Sequence, residues 1–167
     1  MVSDETLILE FQRGSPGAFE ELFARYREPV HGFFRRRLSD RQRAEDLTQE
    51  TFLAVIRAAA RYEPRSTARA YLFGIAFKLL SAERRSLARQ APAPAEPALH
   101  PAPEAALWVR EAIARLEPAE REVLMLREYE QLSYAEIAAI LRIPLNTLRT
   151  RLYRARLALK EQLHATG

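Results

Sequence analysis

Residues 91–103, APAPAEPALHPAP, hold five of the ten prolines of a 167-residue chain. Proline locks φ and lacks a backbone N–H, so such a stretch takes a stiff, extended course with no core of its own. The chain on either side must then close separate cores, about ninety residues before the stretch and about sixty after it. Neither side shows strand alternation or hairpin signals, while both carry apolar residues at helical spacing. The expected fold class is all-α: two small helical domains, residues 1–90 and 107–167, joined by a Pro/Ala-rich linker at 91–106.

The second domain contains SYAEIAAILRIPLNTLRTRLYRAR, Ser133 to Arg156. Ser133 followed by Glu136 is a capping box, which satisfies two orphan N–H groups and starts a helix with Ile137, Ile140 and Leu141 inward. Arg142-Ile143-Pro144 forms a turn, because Pro144 ends one helix and suits the first turn of the next. In that next helix Leu148, Leu152, Ala155 and Leu159 recur at i, i+4, i+7 and i+11 and should face protein. The opposite side then carries Asn146, Thr150, Tyr153 and Arg154, flanked by Thr147, Arg149 and Arg151. This is the layout of a helix-turn-helix whose second helix meets base edges and phosphates in a major groove. A solvated basic hairpin packed on another surface is the plainer alternative.

The first domain reads as four helices. Leu7, Ile8 and Phe11 begin a short one that stops near Gly14. Ser15-Pro16 opens a second, with Phe19, Leu22, Phe23 and Tyr26 on one face, a kink or restart at Pro29, and Val30, Phe33, Phe34 and Leu38 beyond it. The third, Arg41 to Arg61, has an expected core face of Thr48, Phe52, Val55, Ile56 and Ala59. Its other side presents Arg43, Asp46, Gln49, Glu50 and Arg57 around Leu53. An apolar residue framed by carboxylates and an amide suits docking of a basic partner, although one exposed leucine among solvated charges is also common.

The fourth helix, capped by Ser66 or Thr67, has a core stripe of Leu72, Ile75, Ala76, Leu79 and Leu80. Tyr62, Tyr71, Phe73 and Phe77 are left beside the cations Arg65, Arg69, Lys78, Arg84 and Arg85. Rings interleaved with cations suit unstacked bases, which need a face to stack on and a charge for the phosphate. Packing in the core is the competing use of these rings and the favoured one for Tyr71 and Phe73.

Composition narrows the functional classes. The excess of 26 Lys and Arg over 22 Asp and Glu gives a net charge of +4, compatible with a nucleic-acid partner but not diagnostic. The absence of cysteine excludes disulfides, thiolate catalysis and cysteine-ligated zinc. His31, His100 and His164 lack metal-ligand spacing, and no glycine-rich phosphate loop occurs, so neither an enzyme nor a cofactor is expected. No apolar run approaches membrane-spanning length and the start lacks a basic-then-apolar leader, so a soluble cytoplasmic protein with no membrane insertion is expected.

Outside the linker, the chain resembles the extracytoplasmic-function group of sigma factors, in the sigma-70 family of bacterial RNA polymerase. Asp46-Leu47-Thr48-Gln49-Glu50-Thr51-Phe52-Leu53 matches the segment with which the family grips the coiled coil of the polymerase largest subunit. LEPAEREVLMLREYEQLSYAEIAAIL and NTLRTRLYRAR resemble its helix-turn-helix for the upstream promoter element. The resemblance implies a non-enzymatic initiation factor of the bacterial cytoplasm that docks on core RNA polymerase through Asp46, Gln49, Glu50 and Leu53. It implies that Asn146, Thr147, Arg149, Thr150, Arg151 and Arg154 meet duplex promoter DNA. Tyr62, Arg65, Arg69 and Lys78 would then hold the melted single strand, and an anti-sigma factor would be a further partner.

Several positions depart from the family pattern. Tyr71 stands where a tryptophan is usual, Phe77-Lys78 where an arginine-asparagine pair is, Ala82 at a common carboxylate and Ala68 at an aromatic, which together suggest an altered sequence preference or weaker melting. Arg142 replaces a favoured glycine, so either the turn is remodelled or a left-handed backbone costs about 1 kcal/mol. Two other functions fit the same residues. One is a helix-turn-helix regulator whose N-terminal helices sense a ligand or dimerise, and the other is a sigma mimic that captures an anti-sigma factor.

Overall fold

The computed structural model describes residues 1–90 and 104–165, so most of the expected linker lies outside the described residues. The chain divides into two compact units, Met1–Ala98 and Leu99–Gly167. Every regular element among the described residues is a helix, with α1 (Asp4–Gln12), α2 (Pro16–Arg35), α3 (Arg41–Ala58) and α4 (Ala68–Gln90) in the first unit. The second contains α5 (Glu104–Ala114), α6 (Pro118–Glu128), α7 (Tyr134–Leu141) and α8 (Leu145–Ala165).

Local chemistry sets the ends of these helices. Ser3 caps α1 by accepting the Thr6 N–H at 3.1 Å, and Gly14 at φ 103° lets the chain turn away after α1. Ser15 makes no side-chain cap, so α2 opens on Pro16 alone and runs through Pro29 to Arg35 without restarting. Asp40 caps α3 through Gln42 N–H at 2.9 Å and Arg43 N–H at 3.3 Å. A 3-10 turn, Ala59–Arg61, follows α3. Of the two candidate caps for α4, Thr67 serves, its hydroxyl accepting the Ala70 N–H at 3.1 Å.

Two aromatic clusters fill the first unit. Phe33 packs edge-on to Phe34 at 5.1 Å and tilted on Phe73 at 5.7 Å, all three fully buried. Phe11, Phe19, Phe23 and Phe52 form the second, with centroids 4.9–6.4 Å apart along the chain of contacts. Full burial of a ring such as Phe33, Phe34 or Phe73 contributes roughly 1.5–3 kcal/mol, the half-buried Phe11, Phe19 and Phe23 contribute less, and edge contacts between rings add to both. Phe73 is therefore core, as the packing alternative had it, whereas Tyr71 is half-buried.

Helix α3 buries Ala44, Leu47, Thr48, Thr51, Phe52 and Val55. The two threonine hydroxyls donate back to Ala44 and Leu47 carbonyls at 2.7 Å, so neither is stranded in the core. Ile56, expected inside, is 42% exposed. At about 100° per residue, it lies roughly a quarter-turn beyond the middle of the buried arc, on the side of Gln49 and Leu53.

The second unit closes on Leu126, Leu132, Ile137, Leu148 and Leu152, all buried. The capping box on α7 is complete: Glu136 N–H donates to Ser133 Oγ at 3.1 Å and Ser133 N–H to Glu136 Oε1 at 2.8 Å. Ile137 is buried as expected, Ile140 and Leu141 are half-buried, and Ala138 takes the remaining inward position. On α8, Leu148, Leu152 and Ala155 face inward while Leu159 is half-buried.

Both turns that define this unit use left-handed residues other than glycine, Gln131 at φ 58° and Arg142 at φ 56°. Arg142 ends α7 with Ile143 N–H reaching back to Ala138 O at 3.1 Å, so the turn keeps its geometry and carries the strain. Arg142→Gly should therefore stabilise the second unit by about 1 kcal/mol, with Arg142→Ala near the parent. In a thermal melt followed by circular dichroism this reads as a midpoint higher by about 4–8 °C for a unit of this size.

Candidate docking and nucleic-acid surfaces

The core stripe of α3 turns Asp46, Gln49, Glu50 and Leu53 outward together. Leu53 is 46% exposed, and with Ile56 it makes an apolar strip one helical turn long, flanked by exposed Gln49, Glu50 and Arg57. Asp46 is pre-positioned, because its carboxylate accepts Gln42 Nε2 at 3.0 Å and Arg43 Nη1 at 3.4 Å. Arg43 also forms a two-pronged ion pair with Glu83 of α4, one prong being Nε to Oε1 at 3.1 Å. That bond to Glu83 holds the guanidinium pKa above its ordinary value, so Arg43 stays charged.

Beside the strip, a cleft of about 250 Å³ opens between α2 and α3, lined by Phe23, Arg27, Glu28, His31, Glu45, Thr48 and Gln49. Gln49 belongs to both features. Ile56 and the α2 residues of the cleft were missed in the sequence. The spacing of α3 leaves Ile56 at the border of the buried arc, and both its exposure and the side of α2 that lies against α3 depend on tertiary packing.

The strand-holding candidates divide into two pairs. Arg65 is exposed and pairs with its near neighbour Glu63, Nη2 to Oε2 at 2.6 Å, a pairing that surface water makes weak. Lys78 is exposed on α4. Tyr62, by contrast, is 6% exposed, with its ring edge-on to Tyr71 at 4.9 Å. Burial raises the pKa of both phenols, and the buried Tyr62 hydroxyl has no hydrogen-bond partner among the described residues. Arg69 turns inward too, its guanidinium 5.5 Å from the Tyr26 ring and 5.6 Å from Phe73. Ala68 is fully buried at the foot of α4, so a ring at that place would have to displace its neighbours.

On α8, Asn146, Arg149, Thr150 and Arg154 are exposed, Thr147 and Arg151 half-buried, and Tyr153 68% exposed. Of the six residues expected to face DNA, Asn146, Arg149, Thr150 and Arg154 thus stand on the open side of one helix, with Thr147 and Arg151 at its borders. Thr150 Oγ1 donates to Asn146 O at 3.0 Å, which leaves its lone pairs for an incoming donor. Arg156, next along, ties α8 to Tyr134 Oη at 3.3 Å and to Glu128 at 3.2 Å, fixing the helix on its support. Exposed Arg142 adds a cation just before α8.

Among the described residues, no group of three or more His, Cys, Asp or Glu could hold a metal ion, and no helix is long and apolar enough to cross a membrane.

The chain matches two family models, Sigma-70 region 2 over residues 22–90 and Sigma-70 region 4 over residues 106–159. It is 31% identical to RNA polymerase sigma-H factor of Pseudomonas aeruginosa over 180 residues, covering 96% of this chain and 93% of that one. It is 36% identical to RNA polymerase sigma factor CarQ of Myxococcus xanthus over 165 residues, covering 92% and 93%. Among solved structures, the sigma factor RpoE of Bartonella quintana, in complex with the anti-sigma factor NepR, superposes with a TM-score of 0.76 at 25% identity, over 87% of this chain and 96% of that one.

Because Leu53 and Ile56 are exposed while Phe52 is buried, the three should separate in a urea titration. Leu53→Ala and Ile56→Ala should leave stability within about 0.5 kcal/mol of the parent, and Phe52→Ala should lower it by about 3–5 kcal/mol.

Proposed function

The chain belongs to the sigma-70 family, in its extracytoplasmic-function group, and we propose how its surfaces divide the work of starting transcription. As a sigma factor it binds core RNA polymerase, recognises promoter DNA and helps to melt it. Residues 1–90 act as the polymerase-docking and melting domain, residues 107–167 as the upstream-element reader, and 91–106 as the tether. The observation that carries the docking assignment is the two-sided α3, whose inner stripe is core while Asp46, Gln49, Glu50 and Leu53 stand outward on a rigid helix. Leu53, extended by Ile56, supplies the apolar contact, and the polar rim orients a basic partner.

Asn146, Thr147, Arg149, Thr150, Arg151 and Arg154 enter the major groove of the upstream element, arginines on phosphates and guanines, the amide and hydroxyls on base edges. The opened strand runs along the loop after α3 and along α4. Arg65 and Lys78 meet its phosphates, while Tyr62 and Arg69 lie beneath as the floor of the site. Capture of an unstacked base offsets an unstacking cost of a few kcal/mol, so melting is driven by binding rather than by chemistry. The family is non-enzymatic in general. The factor works in the bacterial cytoplasm under an anti-sigma factor, a partner supported by the Bartonella quintana complex.

Asp46→Arg should abolish co-purification with core polymerase while leaving the helical circular dichroism spectrum unchanged, and normal association by that variant would overturn the docking assignment. Arg149→Ala and Arg154→Ala in the holoenzyme should each weaken upstream-element binding. Each should also lower the slope of log K against log salt by about 1 if its contact is to phosphate, as gel-shift titrations at several salt concentrations would measure.

A further inference from the structure

Helix ends leave backbone N–H and C=O groups without intrahelical partners, and those groups need satisfaction from elsewhere. Between α3 and α4 there are two such ends, joined by the loop that carries Tyr62 and Arg65. Helix α1 bonds to both, beside the Thr67 cap of α4. From its last residue, Gln12 Nε2 donates to the carbonyls of Ala59 at 2.8 Å, Tyr62 at 3.0 Å and Ala60 at 3.4 Å, two N–H bonds shared among three oxygens. From its first turn, Glu5 Oε1 accepts the N–H of Ala68, the first residue of α4, at 2.9 Å. A carboxylate on a helix N-terminus is also favoured by the helix dipole.

Helix α1 is itself pinned to α2. Leu7 and Ile8 are buried, Asp4 accepts the Tyr26 hydroxyl, and Arg25 Nη1 reaches Asp4 at 2.8 Å and Val2 O at 2.7 Å. The loop is therefore clamped at both ends by a helix some fifty residues away in sequence that contributes no residue to the docking strip or the DNA-reading helix. Within it Pro64 restricts the backbone and the Tyr62 ring is folded under, leaving Arg65 exposed.

We infer that Gln12 and Glu5 are positioning residues for promoter melting, holding the loop from Ala59 to Ala68 in its strand-binding shape before DNA arrives. The inference rests on the reading above that this loop and Lys78 hold the opened strand. A loop ordered in advance loses less conformational freedom on binding, so loosening it weakens capture of the strand and leaves the other contacts intact.

The test uses the holoenzyme assembled from the full chain, with a single-stranded oligonucleotide of the non-template promoter sequence and a fully duplex promoter as probes. Gln12→Met keeps the length of the side chain and removes its donors. Glu5→Ala removes the acceptor, whereas Glu5→Gln retains an acceptor oxygen. Gln12→Met and Glu5→Ala should bind the single-stranded probe and form permanganate-reactive open complex about tenfold more weakly, with core association and upstream-element footprinting within twofold of the parent. Glu5→Gln should restore most of the loss. Circular dichroism checks the fold, and if Gln12→Met does not fold the Glu5 pair decides alone.

A uniform loss of core association, duplex recognition and strand binding would assign α1 a merely architectural role and overturn the inference. Unchanged strand binding in both α1 variants, with Arg65→Ala and Lys78→Ala impaired, would overturn it as well while sparing the strand site. Unchanged binding in Arg65→Ala and Lys78→Ala would remove the strand site itself and the inference with it.

Discussion

The rotational phase of α3 governs the first unit. Once Phe52 and Val55 are committed to the core with Thr48 and Thr51 beside them, helical geometry leaves no choice about where Asp46, Gln49 and Leu53 go. The proposed docking strip is thus a by-product of core packing. Phe52, on the inner side of the same helix, is held by the rings of Phe19 and Phe23 from α2, so the outer side is fixed along with it.

Electrostatics links this strip to the rest of the unit. Arg43 lies between Asp46, which belongs to the proposed docking face, and Glu83, which belongs to the helix carrying Lys78. The geometry favours Glu83, because that pair has two prongs and its carboxylate is the more buried, while the single 3.4 Å contact leaves Asp46 largely available to a cation from outside. Helix α1 performs the same service for the loop at the far end of α3, with hydrogen bonds in place of charge.

Much of this was legible in the residues, for local reasons. Ser133 with Glu136, Thr67 before α4 and Pro16 opening α2 are choices a helix end dictates within four residues of itself. The inward stripes of α3 and α8 follow from spacing alone. What escaped depends on contacts distant in sequence. The exposure of Ile56 reflects which arc of α3 its neighbours cover, and the burial of Tyr62 requires knowing that Tyr71 comes to lie against it. The bonds of Gln12 and Glu5 across some fifty or more residues have no sequence signature at all. Gln131 escaped for a different reason, since glutamine rarely marks a left-handed turn and the departure at Arg142 drew attention only through a resemblance.

The arginine that closes α7 brings two pressures into opposition. Glycine there would relieve the left-handed backbone and raise the melting point of the second unit, yet the same change would remove a positive group beside the DNA-reading helix and weaken its attraction for a phosphate backbone, most of all in dilute salt. Conformational ease and positive charge therefore pull this one position in opposite directions, and an arginine there keeps the charge at the expense of the backbone.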